Sequence, residues 1–464
     1  YHAGVLRAVQ EAGVKIDIVA GRGVGVVGAM YAAIDGGSQL WDAGRGWQAA
    51  PVSRFYRWRW MLRVTAVTLG TTLGALLVPL VVLVGAVMAY PVSLILQMVG
   101  LELGGNLAAG YAQLVEKIFE PDALPVFLPR FVTVSLLVLL VTLVGGTVIS
   151  SLRARLHRRS IGPFWWYMLG APLSTSQAVE WFTHGLWRIM QGAARIKRPT
   201  SADLGERYAQ LLADNIGQPG FRELILLVHD LDGRRDLVSA LLAEPYRRPF
   251  FLRRLGDESG ERHLETIDLA GWGRELAVDL LSASLGIPVA TEPHLISFPA
   301  DGVWRGEIHR LCDRPESTAR LLEEVAQAGA EQVILVTALP EATGPHTLKS
   351  GRRDARGRLG EHLAAVETAS IRDALSSRGG YFQAVFQIRP THNPLGPLDF
   401  RGCYDEQSDR LHTLDELVTC GYEDGFRQFV DSVVGASGEW IHSASSVNSE
   451  RSRREESAAS SDEI

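Results

Sequence analysis

Three glycines alternate with single residues in Gly21-Arg22-Gly23-Val24-Gly25. They stand between an apolar run, Ile16 to Ala20, and a stretch of small and apolar residues, Val26 to Ile34, that carries helical spacing. A strand that turns on glycines into a helix offers close backbone approach and a helix N-terminus, and two chemistries use such a turn. One is phosphate binding: Gly23, Gly25 and Gly28 match G-x-G-x-x-G, placed after a strand and opening a helix. The other is nucleophilic: Gly21-x-Gly23-x-Gly25 matches G-x-S-x-G, with glycine where the reactive serine belongs. A tight turn with no chemistry is the third reading.

The phosphate reading weakens downstream. A dinucleotide fold needs a second strand about 20 residues on, ending in an acidic residue for the ribose hydroxyls. Asp35 and Asp42 follow the glycines, but no strand pattern carries them. Other candidates are weaker. Ser38 lies beyond the elbow helix, Ser282 and Ser284 sit in a small-residue helix where packing explains them, and Asp230 and Asp232 end a strand in a turn-like "HDLDG". The three cysteines, Cys312, Cys403 and Cys420, form no C-x-x-C pair, and the 12 histidines are scattered. No metal site, disulfide framework or cofactor is expected, and a reducing compartment fits. With 46 basic and 52 acidic residues the formal charge is −6, which carries no global nucleic-acid signature.

The elements around the turn are those of an α/β protein. "YHAGVLRAVQEAG" reads as a helix with Val5, Leu6 and Val9 on one face and Gly13 as its stop. Because it opens on a helix, the chain is expected to lack a preceding first strand and loop. "RELILLVHDLDG" (222–233) and "EQVILVTALP" (331–340) read as strands. The second, an unbroken apolar run, suggests burial on both faces of a parallel sheet. "ESTARLLEEVAQAG" and "LGEHLAAVETASIRDALS" are amphipathic helices, "YFQAVFQI" is a strand, and "LDELVTCGYEDGFRQFVDSVV" is a terminal helix with a glycine-marked break. The alternation predicts a three-layer α/β/α sandwich with a mostly parallel sheet. After Ile441 the serine-rich, polar sequence predicts a disordered tail.

Something apolar interrupts this domain. No charged residue occurs from Val64 to Leu101 or from Phe131 to Leu152, and both runs exceed the roughly 20 residues of a spanning helix. A transmembrane helical hairpin is expected, with spans about 64–89 and 131–152. Pro91 and Gly100 suggest that the rest of the first run is kinked or interfacial, and a three-span arrangement stays open. Arg54, Arg57, Arg59 and Arg63 precede the first run, and Arg153, Arg155, Arg158 and Arg159 follow the second. The intervening loop, Glu102 to Arg130, holds two basic and four acidic residues. By the positive-inside rule both chain ends face the cytoplasm, with Trp58, Trp60, Trp165 and Trp166 as an aromatic belt. The expected domains are 1–50 and 161–440 as the two parts of the α/β domain, 51–160 as the membrane insert, and 441–464 as the tail.

Two blocks in order, "YHAGVLRAVQEAGVKIDIVAGRGVGVVGAMYAA" and "SASLGIPVATEPHLISFPADGVWRG", resemble the patatin-like phospholipase family over roughly residues 1–40 and 220–440. The resemblance implies a lipid acyl hydrolase fold with a serine–aspartate dyad, whose substrates are phospholipids or other fatty acyl esters reached at the bilayer. It assigns Gly23 to the nucleophile position, Gly21, Val24 and Gly25 to the elbow and oxyanion region, and Asp301 with Gly302 to the Asp-Gly motif that supplies the dyad aspartate. The family's glycine-rich oxyanion loop would lie ahead of Tyr1. A glycine at the nucleophile position carries no oxygen, so no acyl-enzyme can form there. Losing such a nucleophile costs roughly six orders of magnitude in a serine protease. The expectation is a catalytically impaired membrane hydrolase. A non-catalytic lipid-binding or scaffolding protein is the alternative, and a dinucleotide-binding protein a weaker one; the oligomeric state stays open. The family reading requires the dyad aspartate, Asp301, to reach Gly23.

Overall fold

The computed structural model describes residues 1–42, 46–48, 54–156, 170–194, 196–252, 261–339, 355–391, 395–396, 398, 403–405 and 410–434. Arg158, Arg159, Trp165, Trp166 and the predicted 441–464 tail lie outside the described residues. The chain divides into two compact units, Tyr1–Arg57 with Ser174–Ile464, and Trp58–Leu173.

In the first unit, α1 (His2–Glu11) leads to β1 (Ile18–Arg22) and α2 (Gly25–Ala33). After the insertion come α3 (Ser176–Gln191), α4 (Ser201–Asn215), β2 (Glu223–Asp230), β3 (Arg235–Leu241) and β4 (Thr266–Asp268). Then follow α5 (Ala277–Ser284), β5 (His294–Ser297), β6 (Ile308–Cys312), α6 (Thr318–Gln327), β7 (Gln332–Val336), α7 (Ala355–Arg378), β8 (Ala384–Ile388) and α8 (Leu414–Gly425). α8 passes at Gly425 directly into a π-helix, Phe426–Val434.

β2 organises the core because alternate residues point to opposite faces. Leu224, Leu226 and Val228 join one apolar cluster with Met30, Phe182, Leu212 and Leu281, from α2, α3, α4 and α5. Ile225 and Leu227 join a second with Leu322 and Val325 of α6 and Ala374 of α7. Helices therefore cover both faces of the central sheet. α2 is apolar on nearly every side and is buried accordingly. The buried tyrosine hydroxyls on this side are satisfied, Tyr208 donating to the Met30 carbonyl and Tyr31 to that of Phe182.

The predicted mostly parallel sheet is corrected to a mixed one. The order is β4-β3-β2-β6-β5, with β1 pairing with β2. β1·β2 and β3·β4 are parallel; β2·β3, β2·β6 and β5·β6 are antiparallel. The cause is local: β2–β3 and β5–β6 are hairpins, and a short turn can join strands only in opposite directions. β7 pairs in parallel with β8 in a separate two-stranded sheet, and its Val333 to Val336 are half-buried rather than buried.

The second unit holds helices Trp60–Met98, Leu103–Phe119 and Leu124–Leu156. Two segments, Trp60–Met98 and Leu124–Gly146, are long and apolar enough to cross a membrane. The first helix runs past the expected span of 64–89: its 39 residues continue through Pro79 and Pro91, and at 1.5 Å per residue it is about 58 Å long. The chain reverses only at Gly100, with φ +80°. The helix Leu103–Phe119 then folds back along it, Ser93 donating to the Gly104 carbonyl at 2.6 Å and the Tyr111 hydroxyl bonding the Val82 carbonyl.

Candidate functional site

The register of two strands builds the site. β1 runs parallel to β2 with Arg22 opposite Leu227, and β6 runs antiparallel to β2 with Cys312 opposite His229. The other edge of β2 is taken by β3. β1 and β6 therefore share one edge and meet head to head, their C-terminal ends facing each other near Val228. The residues that follow, Gly23 and Asp313, are forced together. A Cβ built on Gly23 would lie 2.8 Å from Asp313 Oδ2 and 3.1 Å from its Cγ. The Asp313 N–H donates to the Gly286 carbonyl at 3.1 Å, tying the loop after β6 to the proline loop after α5.

The glycines of the turn have separate reasons. Gly23 has φ +52°, in the left-handed region where a side chain is strained. A Cβ on Gly21 would meet the Gly25 carbonyl oxygen at 2.7 Å, so backbone crosses backbone there. Gly25 has open space and begins α2, whose N-terminus has no side-chain cap and carries the positive end of the helix dipole. Val24 is exposed at this end. The strand, the left-handed residue and the helix start make a sharp elbow.

The predicted pairing of Gly23 with Asp301 is corrected. Asp301 is exposed in the turn between β5 and β6, beyond the Ser297–Ile308 pair. The five residues of β6 separate that turn from Asp313, at least about 13 Å by strand rise. Gly302 packs its backbone on the Trp272 ring, which a Cβ would meet at 2.7 Å. Asp-Gly is a turn dipeptide, and here it makes a hairpin turn. No strand was expected over Ile308–Cys312, so no sequence signal pointed to Asp313.

Arg22, unassigned by the sequence reading, governs the electrostatics. Its guanidinium donates from Nη1 to Asp313 Oδ1 and Oδ2 at 3.1 and 3.0 Å, from Nε to Thr318 Oγ1 at 2.8 Å, and from Nη2 to Glu367. Its side chain is 10% exposed. Burial works against the charged guanidinium, but the Asp313 and Glu367 charges outweigh it and hold Arg22 above its ordinary value. Glu367 stands above the usual carboxylate range because burial, with Asp313 nearby, outweighs its attraction to Arg22. Tyr56 is raised by burial and then by Asp313, and its hydroxyl donates to the Leu285 carbonyl at 3.0 Å. The Cys312 thiol is pushed up to about 12 by burial, with Asp313 and Asp236 adding to it.

The remaining candidates resolve as structure. Ser282 and Ser284 are buried and donate to the Val278 and Leu281 carbonyls of their own helix. Asp230 pairs with His309 Nδ1 at 2.6 Å and Asp232 with Arg310 at 2.8 Å, so both hold the β2–β6 junction. Among the described residues no three His, Cys, Asp or Glu side chains gather as a metal site. No family model, curated protein or solved structure matches the chain.

Proposed function

We propose that this protein is a membrane-anchored member of the patatin-like lipid acyl hydrolase type, catalytically impaired because Gly23 stands where the nucleophile belongs. The observation that carries the reading is the meeting of Gly23, left-handed at a strand-to-helix elbow, with a carboxylate 2.8 Å from the position of its missing Cβ. A serine there would have its base within hydrogen-bond reach, as a two-residue nucleophile–base arrangement requires. The aspartate is Asp313, not Asp301. It is followed by Arg314 rather than glycine, so the support is geometric and not from the family's Asp-Gly motif. In this chain the carboxylate is engaged by Arg22 on both oxygens. The two apolar helices, Trp60–Met98 and Leu124–Gly146, support anchoring at the bilayer that holds the ester substrates. The arginine flanks favour a cytoplasmic α/β domain.

The test is hydrolysis of a fluorogenic acyl ester and of a phospholipid by the full chain in micelles. The unmodified chain is expected at background and Gly23→Ser above it. Asp313→Ala is expected to abolish the gained activity, and Asp301→Ala to leave it unchanged. Turnover by the unmodified chain that survives Asp313→Ala, or a folded Gly23→Ser protein without turnover, would overturn the proposal. A second reading, a lipid-binding protein without catalysis, is favoured by the cavity of about 1510 Å³ that reaches Gly23 and Asp313; it expects lipid to co-purify and Gly23→Ser to stay inert. The dinucleotide reading is the weakest, because the next described strand after α2, Arg57–Trp58, carries no acidic residue for the ribose hydroxyls.

A further inference from the structure

No charged residue occurs from Val64 to Leu101, and one helix, Trp60–Met98, carries nearly all of that run. Its 39 residues measure about 58 Å against the roughly 30 Å core of a bilayer. Gly146 packs on the Met61 side chain, so the helix Leu124–Leu156 returns to the start of the first. From Leu124 to Gly146 that return measures about 33 Å, which matches a bilayer and accompanies only the first half of its partner. The distal half, residues 84–98, extends beyond it. Val87, Met88, Leu94, Ile95 and Met98 there are each more than half exposed, an apolar surface too large to stand uncovered in water.

The helix Leu103–Phe119 says what covers it. It runs back along the distal half, with Ser93 Oγ donating to the Gly104 carbonyl at 2.6 Å, Gln97 Nε2 to Ser93 Oγ at 3.3 Å, and the Tyr111 hydroxyl to the Val82 carbonyl. Polar groups on the shared face are therefore paired within the protein, as hydrocarbon requires. The remaining faces sort at helical spacing. Gly104, Ala108, Tyr111, Val115 and Ile118 are its buried or half-buried positions, turned to the first helix. Glu102, Asn106, Gln113, Glu116 and Glu120 make an exposed stripe on the far side. Leu103, Leu107 and Leu114 lie on one flank, 66, 40 and 53% exposed. An upright first helix has no good level with this arrangement. If the half beside Leu124–Gly146 fills the core, residues 84–98 stand in water, while Glu116 and Lys117, past Tyr111 on a helix that runs back, are carried toward lipid at a cost.

We propose that residues 84–119 are an interfacial hairpin bedded in the leaflet opposite the arginine flanks. The distal half of the first helix lies among acyl chains, and Leu103–Phe119 lies over it with Glu102, Asn106, Gln113 and Glu116 at the water line. Every apolar face then meets lipid and every charge of the hairpin meets water. The partner is a zwitterionic lipid surface: apart from Lys117 the charges of the stripe are acidic, so anionic headgroups add no attraction. Oblique entry suits a helix longer than the core, and Pro79 and Pro91 each remove a backbone hydrogen bond where the bend is needed. The segment between the two apolar runs is thus a lipid-binding element instead of an aqueous loop. The proposal rests on the bilayer reading of Trp60–Met98 and Leu124–Gly146 and is independent of the hydrolase reading.

The full chain reconstituted in phosphatidylcholine vesicles tests it. With Cys312, Cys403 and Cys420 changed to alanine, the single substitutions Val92→Cys, Leu107→Cys and Gln113→Cys each carry a nitrobenzoxadiazole fluorophore. Two quenchers are compared: nitroxide on the lipid acyl chains, and iodide on both sides of the vesicle, which makes orientation immaterial. Nitroxide should quench Val92→Cys and Leu107→Cys about 10-fold more than iodide does, and the order should reverse at Gln113→Cys, because ions do not enter hydrocarbon. Flotation with the vesicles is read on the same samples. A chain that fails to float would overturn the bilayer reading and the proposal together. Flotation with iodide quenching at Val92→Cys would overturn the proposal alone. Flotation with neither quencher acting at Val92→Cys would also overturn it, and would place a second copy of the chain over the apolar face.

Discussion

Replacing Gly23 by alanine separates the backbone demand of the elbow from its chemistry. The residue sits at φ +52°, and a side chain in the left-handed region costs about 1–2 kcal/mol. The new Cβ would also lie 2.8 Å from Asp313 Oδ2, closer than carbon and oxygen tolerate. The carboxylate has to retreat by several tenths of an ångström, yet Arg22 grips it through two hydrogen bonds of 3.0 and 3.1 Å. Loosening them adds about 1 kcal/mol, the net worth of an ordinary hydrogen bond. The expected destabilisation is about 2–3 kcal/mol. Gly25→Ala, two residues on, is the control: nothing lies within 4 Å of its Cβ position and the residue opens a helix, so the change should be neutral or stabilise by up to about 1 kcal/mol. Thermal unfolding of the full chain in micelles, followed by tryptophan fluorescence, should show Gly23→Ala melting lower by about 4–12 °C, at about 2–4 °C per kcal/mol. A Gly23→Ala protein as stable as Gly25→Ala would refute the elbow geometry. With it would fall the placement of Asp313 against the turn.

Other perturbations read other parts of the molecule. Arg22→Met leaves the Asp313 and Glu367 carboxylates without their shared cation and should cost about 3–5 kcal/mol at neutral pH. Glu367 already binds its proton more tightly folded than unfolded, so its contribution is present below its unfolded value of about 4.5 and lost as pH rises through the folded one. Denaturant midpoints of Arg22→Met should accordingly recover toward wild type as pH falls. His2 has the opposite sign: burial, then the nearby amino group, lowers it to about 4 from 6.5, so the stability it contributes is full above 6.5 and lost as pH falls toward 4. Over that window the effect is about 3 kcal/mol, and His2→Gln should flatten the acid limb of the midpoint-against-pH curve. In the apolar unit, Gly104→Leu places a Cβ 2.5 Å from the Ser93 carbonyl oxygen. It should part the two helices, read as faster proteolysis or exchange between 99 and 119, whereas Gly105→Leu, with open space, should not.

What could be read from the sequence divides along the range of the interactions involved. Elements whose signal is local were legible: α1 with its Gly13 stop, the elbow from β1 to α2 and the strand from Glu223 to Asp230 all follow from periodicity and glycine placement. The apolar helices were legible by composition, although the proline at 91 misled; a helix that long can forgo one hydrogen bond and continue. The direction of the strands was not legible, because an apolar strand reads alike whichever way its neighbour runs, and the hairpins β2–β3 and β5–β6 turned a parallel expectation into a mixed sheet. The site failed for the same reason. Asp301 and Asp313 are twelve residues apart and bracket one strand, so only the register of β6 on β2 decides which reaches Gly23. Arg22 was hidden more deeply still: its three partners, Asp313, Thr318 and Glu367, come from three later elements, and no spacing within the chain announces that a residue between two elbow glycines will neutralise the carboxylate that the elbow faces. On the proposed hydrolase reading, that arginine bears on catalysis as well as the missing hydroxyl. Restoring an oxygen at position 23 supplies a nucleophile, while the base it needs stays committed to a guanidinium that is itself 10% exposed and held on both sides. Activity gained by Gly23→Ser should therefore rise further, in the ester assay, when Arg22 is shortened to a residue that leaves the Asp313 oxygens free to hydrogen-bond the new hydroxyl.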